Sequence, residues 1–265
     1  MSTAPVFFIS HGAPTLALEP GALGAQLTHL GQQLQGASAV LVVSPHWQSR
    51  EVRVMTNAKP PTVHDFGGFA PALYQLNYPA NGHPALAAEA ATLLANAGFT
   101  VGLDATRGLD HGAWVPLLHL LPQAHLPVFQ VAMPYDLDTA GAYRLGQALA
   151  PLRERGVVIV GSGSMTHNLY EFDPSATETE PYATEFTRWV RQAVSANALE
   201  SLIAYRAQAP HAERAHPTEE HFLPLLVAMG ARHPSETVQL IDGGVQHSVM
   251  SMESYAWGLA PVGTA

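Results

Sequence analysis

Apolar residues along the chain fall into short unbroken runs, set apart by longer stretches with helical spacing. VFFIS (6–10), AVLVVSPH (39–46), FTVGLDA (99–105), PVFQVAM (127–133) and VVIVGSGS (157–164) are short and largely without polar alternation, the pattern of strands buried on both faces. Between and after them, GALGAQLTHLGQQLQ (21–35), PALAAEAATLLANAG (84–98), VPLLHLL (115–121), TAGAYRLGQALAPLRERG (139–156), YATEFTRWVRQAVSA (182–196) and HFLPLLVAMGA (221–231) predict helices. The second of these opens on Pro and closes on Gly, as helices do. Strands alternating with helices predict an α/β fold: a single domain over 1–265 with a central, largely parallel sheet covered by helices on both faces. No internal repeat interrupts it. The longest irregular segment, about 47–83, carries Pro60-Pro61, HDFGGF and YPANGHP. A loop of that length in a compact domain is usually functional, so it is expected to cover a site.

Composition narrows the classes. No apolar run reaches the roughly 18 residues of a membrane span, and MSTAPVFFIS has no basic region ahead of a short apolar run, unlike a secretion signal. The chain has no cysteine, which excludes disulfides and thiolate metal sites and fits a reducing cytoplasm. The formal charge of −9 repels phosphate backbones, so nucleic acid is not an expected partner. Charged residues make up only 12%, which suits a modest exposed surface or one partly covered in an oligomer.

Histidine changes the picture most. There are 14, against 12 lysines and arginines together, and histidine is both the commonest metal ligand and the usual acid–base group near neutrality. His11, His46 and His167 each follow a predicted strand. Ligands of open α/β sheets bind beyond the carboxyl ends of the strands, so a metal site is expected there. One histidine at a strand end is ordinarily a turn residue; three delivered to one edge are harder to explain that way. His221 falls in the first turn of a predicted helix with Thr218 as its N-cap, next to Glu219 and Glu220. His216, before Pro217, is a weaker neighbour. His111 sits in GLDHGAW, a Gly-flanked turn ahead of a helix. The segment GSGSMTHN is no phosphate loop, since the chain's single lysine is Lys59. It lacks the third glycine of a dinucleotide fingerprint, and Gly161-Ser162-Gly163-Ser164-Met165 is out of register for a nucleophile elbow. Its small residues are read as a sharp turn that presents His167 and lets a substrate or metal approach.

HGAPT (11–15), SPHW (44–47), PPTVHDFGGF (60–69), DHGAW (110–114), GSGSMTHNL (161–169) and PTEEHFLPLL (217–226) together resemble the class III extradiol ring-cleavage dioxygenases, most closely their 4,5-DOPA dioxygenase branch. The likeness runs in order along nearly the whole chain. It implies that His11, His46 and His221 hold one divalent metal. It implies that His167 is the acid–base catalyst, close enough to touch the metal, and that His111 meets dioxygen or a substrate oxygen. HDFGGF resembles the loop over the site, giving His64, Phe66 and Phe69 substrate-facing roles. Trp47 is either a wall for a flat ring or core packing. The substrates implied are a small, DOPA-like catechol and dioxygen. Fe(II) is the metal expected for this chemistry. The wider class uses two histidines and a carboxylate, whereas His221 stands here beside Glu220, which is the alternative ligand; three histidines also suit Zn(II). The segment AHPTEE departs from the branch's Asn-Pro-Thr-Pro pattern. The reaction must remove one hydroxyl proton and return a proton as the ring opens, and a histidine titrating near 6–7 can do both in turn. The rival readings are a zinc-dependent hydrolase using the same histidines and a non-catalytic interaction protein. The kept histidines argue against the second.

Overall fold

VFFIS, VVIV, AVLVV and PVFQVAM lie side by side in the computed structural model, which describes residues 3–259. Residues 1–2 and 260–265 of the expected 1–265 domain lie outside the described residues. In chain order the elements are β1 (Val6–Ser10), α1 (Gly21–Gly31), β2 (Ala39–Ser49), β3 (Val52–Met55), α2 (Pro84–Asn96), β4 (Val101–Asp104), α3 (His111–Leu120), β5 (Val128–Pro134), α4 (Thr139–Leu149), β6 (Val157–Gly163), α5 (Pro181–Ser195), α6 (Leu199–Ile203), α7 (Tyr205–Gln208), α8 (Ala212–Ala215), α9 (Leu223–Ala231), β7 (Gln239–Ile241), β8 (Val245–Gln246), β9 (Met250–Ser251) and β10 (Ser254–Trp257). One sheet runs β4-β3-β5-β2-β6-β1-β10-β7, and β8 pairs with β9 apart from it. Its centre, β5-β2-β6-β1, is parallel, so those strands end at one edge.

The margins of the sheet depart from the sequence reading. β3 pairs antiparallel with β5, β10 antiparallel with β1, and β7 antiparallel with β10. Segment 47–83 is therefore not one loop: Trp47–Ser49 continue β2, and β3 follows. The C-terminal strands are two to four residues long and interrupted by glycine and polar residues, too short for periodicity to register. Yet Ser254–Trp257 is fully buried.

Helices cover both faces. α9 is apolar all round and every residue in it is buried, because it is sandwiched between the strands and α4. α3 packs on the other face against β2 and β6. The small residues of GSGS are explained here, and not by a sharp turn. Gly161 and Gly163 lie within extended β6. A Cβ on Gly161 would run into the Pro224 carbonyl, and one on Gly163 into the His221 carbonyl. Ser162, alternating to the other face, donates its hydroxyl to the carbonyl of Gly112. That carbonyl is free because Pro116, four residues on, has no N–H to offer it.

Two helix starts also differ from expectation. α3 begins at His111 rather than Val115, since Asp110 caps it by accepting from the Ala113 N–H at 3.2 Å. α9 begins at Leu223 rather than His221. Thr218 is not its cap: its hydroxyl goes to Glu220, while the Glu219 carbonyl accepts from Phe222 and Leu223.

Candidate active site

Two strands and the turn before α9 deliver a histidine to the shared edge, each by a different local device. His11 directly follows β1, its N–H bonded to the Gly163 carbonyl. Gly12 then takes φ +58°, a left-handed turn open to glycine. His46 lies within β2, at a bulge: Val43 pairs with Val131, but Gln48 pairs with Met133. The extra residues re-aim the strand. His221 is held by its own carbonyl, which accepts from the Ser164 N–H at 3.0 Å.

Their imidazoles converge. Nε2 of His11 and Nε2 of His46 stand 3.0 Å apart. One nitrogen from each of His11, His46 and His221 lies within 4.8 Å of the others. The opposite nitrogens are anchored from behind: His11 Nδ1 to Ser162 Oγ at 3.0 Å, and His221 Nδ1 to Glu220 Oε1 at 2.9 Å. Glu220 thus orients His221 from its outer side. His221 Nε2 is buried with no protein partner. An orphaned buried nitrogen facing two others fits a metal ion. Burial, then the neighbouring imidazoles, pushes the pKa of His11 well down; burial followed by His111 lowers His46 to about 4; burial followed by His167 and His46 pushes His221 well down. All three are neutral at pH 7, the form in which imidazole binds a metal.

His167 and His111 flank this cluster. The His167 ring stacks on His221, centroids 3.4 Å apart and planes 8° from parallel. The backbone N–H of His167 is fixed to the Ala215 carbonyl at 2.8 Å. Burial pushes its pKa down to about 4, against the opposing pull of Glu220. The expected titration near 6–7 is therefore replaced by a resting neutral base. The His111 ring lies 3.8 Å from that of His46. Asp65 Oδ1 accepts from the His111 N–H at 2.9 Å and pairs with its Nδ1 at 3.0 Å. Burial would raise the Asp65 carboxyl, but the His111 hydrogen bonds outweigh it and hold the group below its usual range.

A cavity of about 450 Å³ opens over these rings, lined by His46, His111, His167 and His221 together with Gly12, Ala13, Pro14, Phe66, Phe69, Leu169, Phe172 and Met250. Of the aromatic residues singled out in the sequence, Phe66 and Phe69 line it, edge to face at 5.5 Å. His64 and Trp47 do not. His64 bonds the Leu76 carbonyl through Nε2 at 3.0 Å and props the loop. Trp47 is buried under the Arg107 guanidinium, 5.2 Å from its ring centre. Sequence reasoning passed over Asp65, although it sits inside HDFGGF, and the apolar wall of Leu169, Phe172 and Met250. Leu169 and Phe172 follow His167 closely enough to have been suspected. Met250 arrives from the C-terminal strands and gave no local signal.

Residues 5–257 match the family of the catalytic LigB subunit of aromatic ring-opening dioxygenase. The 4,5-DOPA dioxygenase extradiol of Beta vulgaris is 40% identical over 253 residues, covering 94% of each chain. The protein of the same name from Escherichia coli (strain K12) is 34% identical, covering 96% of this chain and 94% of its own. The crystal structure of an uncharacterized protein from Escherichia coli K12 superposes with a TM-score of 0.80 at 29% identity, covering 96% of this chain and 99% of that one.

Proposed function

Since the chain belongs to the family of the catalytic LigB subunit of aromatic ring-opening dioxygenases, and is an extradiol ring-cleaving dioxygenase, we propose that His11, His46 and His221 hold one Fe(II) and that His167 and His111 serve the reaction beside it. The observation that carries this is the convergence of three neutral imidazole nitrogens, one of them buried and unpartnered. The donor set also accepts Zn(II); ring opening with dioxygen calls for a metal that exchanges electrons. When bound, such an ion supplies Lewis acidity that makes a catechol hydroxyl easier to deprotonate.

The chain's own groups do the rest. His167, neutral at rest, takes the hydroxyl proton and returns a proton as the ring opens, so that both oxygen atoms enter the product without net proton consumption. Its stacking on His221 fixes the ring plane, so the proton is received at one place. His111, with Nδ1 committed to Asp65, turns Nε2 toward the cavity, where it meets a reacting oxygen. Phe66 and Phe69, packed edge to face, form one wall against the substrate ring and keep water away. His64 acts one layer out, steadying the covering loop, while Trp47 packs under Arg107. The relatives' names support a substrate with DOPA's ring pattern, adjacent hydroxyls and a side chain. Cysteine-free composition supports a cytoplasmic setting, and no helix among the described residues is long and apolar enough to cross a membrane. The family match leaves the hydrolase and interaction-protein readings without support.

The test is anaerobic Fe(II) reconstitution, followed by oxygen uptake and absorbance scans over a panel of catechols. One dioxygen consumed per coloured ring-opened product supports the proposal. Uptake equal to that of free Fe(II) refutes it.

A further inference from the structure

Ring opening requires only adjacent hydroxyls; what hangs from the ring is decided by the rest of the cavity. The inference here rests on the ring-opening reading. Past the histidines, the substituent would meet Pro14, Phe66, Phe69, Leu169, Phe172 and Met250. None of these side chains bears a charge or a hydrogen-bond donor. The carboxylates nearest the cluster stand behind it and are engaged, Asp65 with His111 and Glu220 with His221. The neighbouring arginines are engaged as well, Arg107 with Asp110 and Arg214 with Glu171 and Glu180. Leu169, which lines the cavity, is 60% exposed, so the wall stays apolar where it meets solvent. A substrate carboxylate or ammonium placed along these six side chains gives up water and gains no partner from them, which is costly. The polar ring packed against the wall is that of His247, 4.5 Å from Phe172. The chain's overall charge of −9 has the same sign as an anionic substituent.

We propose that the cavity selects catechols carrying an uncharged, apolar substituent, of the short alkylcatechol class, over amino-acid or acidic catechols. Each methylene added to the substituent raises kcat/KM roughly threefold to fourfold until the chain reaches the mouth. The gain appears in KM, since the substituent is held alike in ground and transition states.

The experiment compares catechol, 4-methyl-, 4-ethyl- and 4-propylcatechol with 3-(3,4-dihydroxyphenyl)propionate, dopamine and L-DOPA. Oxygen uptake by the Fe(II)-reconstituted protein gives kcat and KM. Calorimetric titration of the Zn(II)-loaded protein under nitrogen gives affinity without turnover. A stepwise rise along the alkyl series, with 4-propylcatechol at least about tenfold ahead of L-DOPA in KM and in affinity, supports the proposal. L-DOPA equal to or better than 4-propylcatechol in both measurements overturns it, and leaves ring opening standing. Failure to cleave any catechol removes the ring-opening reading, and the titration still reads the preference. Phe172→Arg should narrow the gap between the propionate and 4-propylcatechol by about tenfold, the worth of one charge-assisted contact; an unchanged gap counts against the wall as its cause.

Discussion

Lowering the pH should unfold the metal-free protein well before ordinary acid denaturation. Burial holds His46 and His167 at about 4 and His216 at about 3, against 6.5 in an unfolded chain. Above pH 6.5 these rings are neutral in both states and contribute no pH dependence. As the pH falls below 6.5 the unfolded chain takes up protons that the native state refuses, so stability declines until the native pKa values are reached. Each ring removes about 1.4 kcal/mol per pH unit. From pH 6.5 down to pH 5, three rings remove about 6 kcal/mol, comparable with the whole stability of a typical domain. His11 and His221 act in the same direction. The assay is urea denaturation of chelator-treated protein at several values between about pH 7 and pH 5, followed by tryptophan fluorescence. His216 offers the internal control. It is fully buried among Phe186, Tyr205 and Phe222, with Nε2 bonded to the Met165 carbonyl at 2.9 Å. His216→Gln keeps a donor near the Nε2 position for that carbonyl and removes the titration, so the slope should flatten by about 1.4 kcal/mol per unit. A urea midpoint unchanged from pH 7 to pH 5 would refute the reasoning, as would an unaltered slope in the variant.

The other expectations are briefer. His11→Ala, His46→Ala or His221→Ala should each strip most of the bound metal while circular dichroism stays native; full metal content in His221→Ala would transfer its role to Glu220. His167→Gln should retain metal and lose about 10²–10⁴-fold in kcat, and undiminished turnover would remove it from the mechanism. Gly161→Ala should push the start of α9 off the sheet and cost about 1–3 kcal/mol in thermal unfolding, whereas a wild-type melt would show that the Pro224 carbonyl yields freely. Gel shifts with duplex or single-stranded DNA at physiological salt should be blank; a salt-sensitive shift contradicts the charge argument.

The parallel centre of the sheet was legible because strands buried on both faces need unbroken apolar runs, and four such runs stand out. The edge where histidines gather followed from that, since His11, His46 and His167 each close a run. What could not be read were features set by distant partners. The bulge that turns His46 inward depends on its register with β5. The glycines of GSGS look like turn residues in isolation, and only the packing of α9 against β6 shows that they make room for a carbonyl. Asp65 is one acidic residue among many until α3 brings His111 to it. Met250 and the strands around it are too short to carry a period, so their place in the sheet comes from tertiary burial alone.

The position of β1 has a consequence for biosynthesis. His11 is made well before its strand has partners, since β1 finds both its neighbours, β6 and β10, only after residue 156. Ser10, next to His11, is tied through its N–H to Ser254 Oγ and through its hydroxyl to the Glu253 carbonyl. These contacts close loops of more than 240 residues, whose entropy must be met before they form. A nascent chain therefore carries His11 through the synthesis of everything up to β6 without a place to put it. The cluster is completed only once β6 and β10 stand against β1, which disfavours holding a redox-active ion in a half-built, solvent-open site.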